Sequence, residues 1–250
     1  MKPSAFASFA LLFVIATVAH AQTRDSQVLR RANTFTVFTE YSNDSSHIVL
    51  GLSENRKLAV VGASYARRLW SVRAGDLRYL VEVRPLLMES DPVNVSTFVI
   101  TPINPPGPVS TSIGSGITFK ACRPGSFQQT VQIPGQSYFI AVTTTCDRRW
   151  TFAQGLSPVG LQYSFRPTHR IQPFVSSTAG YIFSTRPIPV SNAGSFNFTF
   201  DIGAGIEFFQ SKSRSVQFEY RFHHISNDYT ADVNPGIDNG VFKLSYAFGR

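Results

Sequence analysis

Charged residues and long apolar runs are both scarce in this sequence of 250 residues. Charged side chains make up only 15% of it, and after residue 22 no run of about 18 apolar residues occurs, which excludes a membrane-spanning helix from the rest of the chain. A β-barrel is not excluded, because polar and apolar residues alternate along its strands and the hydropathy averages out. The abundant side chains are instead aromatic, with 22 Phe and 9 Tyr.

The first residues are the exception to this lack of apolar runs. They read MKPSAFASFALLFVIATVAHAQ, in which one Lys precedes an apolar stretch and the small-residue triplet Ala19-His20-Ala21. This pattern is typical of a secretory signal peptide, here residues 1–21, cleaved before Gln22. An uncleaved anchor helix is the alternative, but the apolar stretch is short for one. The sequence therefore predicts an exported protein.

Cysteine is also rare. The two cysteines, Cys122 and Cys146, lie 24 residues apart, and two thiols make a poor metal site. In an exported chain a disulfide is the expected fate of such a pair. No HExxH motif or ladder of carboxylates occurs, and His47 and His169 are isolated in the sequence. We therefore expect no metal and no cofactor.

The charge balance is positive, at +8 for the whole chain including Lys2. A basic surface suits an anionic partner such as nucleic acid or a phosphorylated lipid. Export favours the lipid, and the basic residues form no patterned run with aromatic residues, so nucleic-acid binding is not expected.

Alternation with a period of two is the main pattern along the chain, and it predicts eight strands. They are residues 33–42, 57–67, 76–88, 155–165, 171–184, 197–209, 214–226 and 239–248. Short connections after the second, fourth and sixth alternate with longer ones, as in outer-membrane barrels. We predict an all-β fold, an eight-stranded antiparallel transmembrane β-barrel with one long external loop over 89–154 that bears the disulfide, within an outer-membrane barrel of residues 22–250. The predicted location is the bacterial outer membrane.

The polar residues at the end of the seventh strand interrupt an apolar face. His224 and Ser226 share the parity of Phe218 and Phe222, so both side chains point toward lipid, with Cα atoms about 7 Å apart. Asp238 has the parity of the apolar face of the next strand. These three side chains can converge at one rim as nucleophile, base and orienting acid, with Asn227 next to the nucleophile as an oxyanion donor. The alternative is a polar rim with no catalytic role.

The order His224-x-Ser226-Asn227, followed by NPG at 234–236 and an acid fourteen residues after the histidine, resembles the PagL-type lipid A 3-O-deacylases, an acyloxyacyl hydrolase-like family of outer-membrane barrels. The resemblance implies a serine hydrolase that removes an ester-linked acyl chain from the 3 position of lipid A in lipopolysaccharide. Ser226 would be the nucleophile, His224 the base and Asp238 the acid, with Asn227 near the oxyanion hole and Asn234 in support.

Asp238 is one methylene shorter than the family's Glu, and Asp228 or Asp232 are alternative acids. Lipopolysaccharide and outer-membrane lipid are the expected partners, with basic residues near the rim facing lipid A phosphates, and a homodimer is possible. A non-catalytic barrel with a structural or adhesion role is the second hypothesis. A pore is disfavoured, because side chains fill the interior of an eight-stranded barrel.

Overall fold

The computed structural model describes residues 29–250, so the predicted signal peptide lies outside the described residues. Within this range the chain forms ten strands, all paired antiparallel. They are β1 (Asn33–Ser42), β2 (Lys57–Ser71), β3 (Gly75–Asn104), β4 (Ser110–Gly116), β5 (Gly125–Ile133), β6 (Gln136–Phe165), β7 (Ile171–Ser184), β8 (Phe196–Phe209), β9 (Arg214–Ser226) and β10 (Ile237–Gly249).

Eight of these strands close into a ring. Around the ring the strands pair in the order β6, β7, β8, β9, β10, β1, β2 and β3. The pairing of β3 with β6 closes the ring. The ring confirms the prediction of an all-β antiparallel fold with eight ring strands, and each predicted strand lies in or next to one of them. We call the side with turns 72–74, 166–170 and 210–213 the short-turn end, and the opposite side the long-loop end.

The ring is polar inside and apolar outside, the reverse of a water-soluble protein. The interior buries an ionic network centred on Glu82, whose carboxylate accepts hydrogen bonds from Arg84, Arg221 and Lys243. The outer wall exposes large apolar side chains along every strand of the ring; examples are Phe35, Val61, Leu161, Val175, Phe200, Phe218 and Phe242. Such a distribution is typical of proteins that are surrounded by lipid. The described residues contain no helix that is long and apolar enough to cross a membrane.

The segment 89–154, predicted as an extended loop, is largely strand. β3 and β6 stay paired beyond the ring, from Asp91–Arg149 to Asn104–Ser137, while β4 adds to the free edge of β3 and β5 to that of β6. The result is a four-stranded extension at the long-loop end. β3, β5 and β6 are rich there in Val, Thr, Phe and Ile, which favour a pleated sheet, whereas β4 is mainly Ser and Gly, and most of the prolines lie in the connections.

The predicted disulfide forms within this extension. Cys122, between β4 and β5, is bonded to Cys146 of β6, with 5.8 Å between the Cα atoms. The same connection is held at Glu54, which accepts hydrogen bonds from the Ala121 N–H and the Lys120 ammonium. These two donors hold the pKa of the Glu54 carboxyl below its usual value. The connection is therefore fastened both to its own sheet and to the β1–β2 loop.

Replacing both Cys122 and Cys146 by serine should loosen this connection and leave the ring intact, because the ring's own strand pairings do not involve it. We expect trypsin to cut after Lys120 roughly tenfold faster, since the cross-link no longer restricts local opening. Gel mobility before and after boiling reports the ring and should match that of the parent. Unchanged cleavage in the double variant would show that the contacts of Glu54 alone hold the connection.

Candidate active site

Three side chains predicted as a catalytic set lie at the long-loop end of β9 and β10. His224 and Ser226 are two residues apart near the end of β9, so strand alternation turns both toward the outer wall. Asp238 is the second residue of β10, and the strand register places it directly opposite His224. Side chains paired in this way are close neighbours on one face of a sheet. In the structure these three residues therefore lie on the face that their parity in the sequence predicts.

The histidine and the acid are hydrogen-bonded. His224 Nδ1 lies 2.6 Å from Asp238 Oδ1, and the aspartate is fully buried. An ionised carboxylate only accepts hydrogen bonds, so Nδ1 carries the proton and Nε2 is left as the basic nitrogen of the neutral ring. The shorter Asp side chain reaches the imidazole. Asp228 and Asp232, the alternative acids, are exposed in the β9–β10 loop.

The second oxygen of the aspartate is held by the β1–β2 loop. Asp238 Oδ2 accepts hydrogen bonds from the backbone N–H groups of Val49 and Leu50, at 2.7 and 2.8 Å. A side chain at Gly51 would lie 2.6 Å from the Asp238 nitrogen, so only glycine allows this close approach. Backbone donors have no side-chain signature, so this contact of the β1–β2 loop was not predicted from the sequence. The available signal was the apolar run IVLGL at 48–52 inside a predicted connection.

The serine hydroxyl is surrounded by donors from the β9–β10 loop. Asn234 Nδ2 donates to Ser226 Oγ at 2.8 Å, and the backbone N–H of Asp228 donates to the same oxygen at 3.1 Å. Asp228 and Tyr229 follow the serine with φ angles of 49° and 57°. Two successive left-handed residues turn the chain back on itself, which aims the Asp228 N–H at the hydroxyl.

Asn227 and Asn234 have different roles in this loop. Both donors of Asn227 are engaged within it, the backbone N–H with Asn234 Oδ1 at 3.1 Å and the side-chain amide with Val233 O at 2.7 Å. Asn227 thereby orients the Asn234 amide, whose nitrogen points at Ser226. Gly236 ends the NPG turn with a φ of 58°, and a Cβ there would lie 3.3 Å from His224 Cε1.

No hydrogen bond joins Ser226 to His224 in the described part of the chain. The two side chains share one wall of the ring at adjacent outward positions, and the serine hydroxyl is held by Asn234. In serine hydrolases the contact between base and nucleophile is often longer without substrate than in the reacting complex. The arrangement is a His–Asp pair beside a serine that already accepts two hydrogen bonds. Cys122 and Cys146 belong to the extension and take no part in it.

Comparison with known proteins bears on this arrangement. A family model described as lipid A 3-O-deacylase (PagL) matches residues 127–247, a range that includes β9, β10 and the loop between them. Residues 127–247 belong to the PagL family. This confirms the resemblance predicted from the sequence, and with it the assignment to a family of lipid A deacylases of the bacterial outer membrane. No curated protein matches the chain.

Solved structures that the chain matches include the outer-membrane enzyme PagL, at 15% identity and a TM-score of 0.46, covering 86% of this chain and 99% of that one. Neisserial surface protein A is 9% identical with a TM-score of 0.39, covering 86% of this chain and 97% of its own. The outer-membrane protein OprG from Pseudomonas aeruginosa is also 9% identical, with a TM-score of 0.37, and covers 90% of this chain and all of its own.

Proposed function

We propose that this chain, whose residues 127–247 match the PagL family, is a serine ester hydrolase that removes the acyl chain at the 3 position of lipid A. The observation that carries the proposal is the cross-strand His224–Asp238 hydrogen bond beside Ser226 on the outer wall. A buried acid that fixes the tautomer of a histidine, with a serine as its neighbour, is the arrangement that activates a hydroxyl for acyl transfer.

In the first half of the reaction, Ser226 Oγ attacks the carbonyl carbon of the ester and its proton passes to His224 Nε2. Asp238 stabilises the imidazolium that forms. The Asn234 amide and the Asp228 N–H, which now donate to Oγ, are the nearest donors for the oxyanion of the tetrahedral intermediate. When the intermediate collapses, the bond between the acyl carbon and the sugar's 3-oxygen breaks. That oxygen takes the proton from His224 and leaves as the 3-hydroxyl.

In the second half, water attacks the acyl group on Ser226 and gives its proton to His224. Collapse of the second tetrahedral intermediate releases the fatty acid and restores the serine hydroxyl, which takes the proton back. The same donors serve both oxyanions, and the His224 tautomer set by Asp238 is the same at the start of each half.

The surroundings of the site suit a substrate embedded in a membrane. We infer that the ring spans the outer membrane with its long-loop end outside, so that Ser226 lies at the depth of the lipid A headgroup. Farther along the same wall, toward the short-turn end, is an open groove of about 720 Å³, lined on the apolar side by Ile206, Phe218, Tyr220, Phe242 and Leu244. Ala204, a small residue that also lines the groove, leaves room between these side chains. Such a groove can hold an acyl chain while the ester stays at the rim.

Mass spectrometry of lipid A after incubation with the refolded protein tests the proposal. We expect the loss of one hydroxyacyl chain from lipid A that carries an ester at the 3 position, and no change in lipid A already lacking that chain. If lipid A that already lacks the 3-linked chain also lost an acyl chain, the proposed specificity for the 3 position would be wrong. Unchanged lipid A of several types, treated with correctly folded protein, would favour the non-catalytic barrel with a structural or adhesion role.

Asn234 offers a test of the oxyanion donors. Replacing it by alanine removes the Nδ2 donor that lies 2.8 Å from Ser226 Oγ, and we expect kcat to fall roughly 100- to 1000-fold. The matched control is Asn192→Ala, an exposed asparagine in the β7–β8 loop, which should leave kcat unchanged. Equal effects of the two substitutions, or none for Asn234→Ala, would remove Asn234 from the reaction.

A further inference from the structure

In the described part of the chain, most of the exposed basic side chains lie at the short-turn end. The exposed basic residues there are Arg67, Arg73, Arg166, Lys212, Arg214 and Arg250. Among the described residues, the acids at this end are Asp76 and Glu207, both buried and engaged by Arg30 and Arg31. The exposed basic side chains therefore face the surroundings without acidic neighbours.

The long-loop end is different, although its rim was expected to present basic residues to the lipid A phosphates. Its exposed basic residues are Lys120, Arg123 and Arg186, of which Lys120 pairs with Glu54, while the half-buried Lys57 pairs with Asp44. The β9–β10 loop adds two exposed acids, Asp228 and Asp232, and no basic residue. Most of the exposed positive charge thus lies at the end of the ring opposite Ser226, where the proposed substrate does not explain it.

Part of this basic surface is organised around aromatic rings. Tyr65, Phe35 and Phe248 are aligned across β2, β1 and β10 by the strand register, and Arg214 of β9 continues the same row. The ring centroids of Phe35 and Tyr65 lie 5.0 Å apart, and those of Phe35 and Phe248 lie 6.0 Å apart. All three rings lie on the outer wall, so they form a continuous apolar platform beside an arginine.

Two more arginines flank this platform. Arg250 and Arg214 line an open groove of about 720 Å³ together with the three aromatic rings. Arg67 lies just outside the groove: it is exposed two residues beyond Tyr65 on the same face of β2, and it pairs in register with Asn33 of β1, which lines the groove. The backbone is fastened here, with the Arg250 N–H donating to Asn33 O at 3.1 Å and the Gly249 N–H to Ser213 O at 3.0 Å.

We propose that this groove is a binding site for an anionic phospholipid of the inner leaflet, with its phosphate against Arg67, Arg214 and Arg250 and its acyl chains along Tyr65, Phe35 and Phe248. Guanidinium groups bind phosphate oxygens in a bidentate geometry, and aromatic rings are enriched where a barrel wall meets the headgroups. Each basic residue near an anionic membrane surface adds roughly fivefold in affinity. The site requires the ring to span the membrane but is independent of hydrolysis.

The two tryptophans of the chain allow a direct test. Trp70 lies three residues beyond Arg67 on β2 and is exposed, whereas Trp150 lies at the long-loop end. A Trp150→Phe, Ser226→Ala protein has Trp70 as its reporter and cannot hydrolyse substrate by the proposed route. It is reconstituted in phosphatidylcholine vesicles that contain a minor fraction of brominated lipid, either brominated phosphatidylglycerol or brominated phosphatidylcholine. Quenching of Trp70 fluorescence is then compared between the two kinds of vesicle.

We expect brominated phosphatidylglycerol to be enriched at Trp70 at least about fivefold over brominated phosphatidylcholine. Joint substitution of Arg67, Arg214 and Arg250 by glutamine should abolish this preference. The matched control replaces Arg73 and Arg166, basic residues of the two short turns that do not border the groove, and should keep most of the preference. Equal quenching by the two lipids in the parent, or equal losses in the two variants, would overturn the site. Neither result depends on whether lipid A is hydrolysed.

Discussion

Replacing Ser226 by alanine should abolish deacylation of lipid A while leaving the protein folded. The hydroxyl is the only group that the proposed reaction uses to form the acyl-enzyme, so no other side chain can replace it at that step. Loss of the nucleophile in serine hydrolases lowers kcat by roughly a millionfold. We therefore expect no product above background in a mass-spectrometric assay that resolves a fall of about 1000-fold.

The substitution should have little effect on the fold. Ser226 is the last residue of β9, and its Oγ accepts hydrogen bonds from Asn234 and from the Asp228 N–H. Both donors are in a loop that is also held through Asn227. Boiling-dependent gel mobility should match that of the parent. The matched control is Ser191→Ala, at an exposed serine of the β7–β8 loop, and its activity should be unchanged.

Two outcomes would contradict the serine mechanism. Full activity of the Ser226→Ala protein would show that water attacks the ester directly or that another residue is the nucleophile. Partial activity, within about tenfold of the parent, would show that Ser226 binds substrate without bonding to the acyl group. An acyl group trapped on Ser226 and found by mass spectrometry of the intact parent protein would support the covalent route.

The ring and the side-chain positions of the site could be predicted from the sequence because both follow from strand alternation. Parity alone turns His224, Ser226 and Asp238 to the outer wall, and consecutive strands of an antiparallel sheet are usually neighbours, which brings β9 and β10 together. The interior charges follow the same rule, as Arg221 and Lys243 are on the opposite parity and reach Glu82 inside the ring.

The features that could not be predicted depend on the backbone or on distant pairing. The donors to Asp238 are the N–H groups of Val49 and Leu50, and the second donor to Ser226 is the N–H of Asp228. None of these depends on a side chain. The four-stranded extension was also missed, because its strand sequences are separated by Pro- and Gly-rich connections and the pairing of β3 with β6 joins residues far apart in the chain.

Replacing Asp238 by asparagine should lower kcat by roughly 10,000-fold without unfolding the site. The amide has the same shape as the carboxylate. Because Val49 and Leu50 present two N–H donors to one oxygen of the group, the amide oxygen is held there and the NH₂ faces His224. The NH₂ is a donor, so His224 Nδ1 must become the acceptor and the ring proton moves to Nε2. A histidine protonated at Nε2 cannot take the proton of Ser226.

The fall in kcat of Asp238→Asn should come from the changed tautomer of His224 and not from the charge removed near the site. Asp228→Asn and Asp232→Asn remove the same charge from exposed positions of the neighbouring loop, and both should retain the activity of the parent. If Asp238→Asn retained activity within about tenfold of the parent, the hydrogen bond to His224 would be structural, and the orienting acid would have to be sought elsewhere.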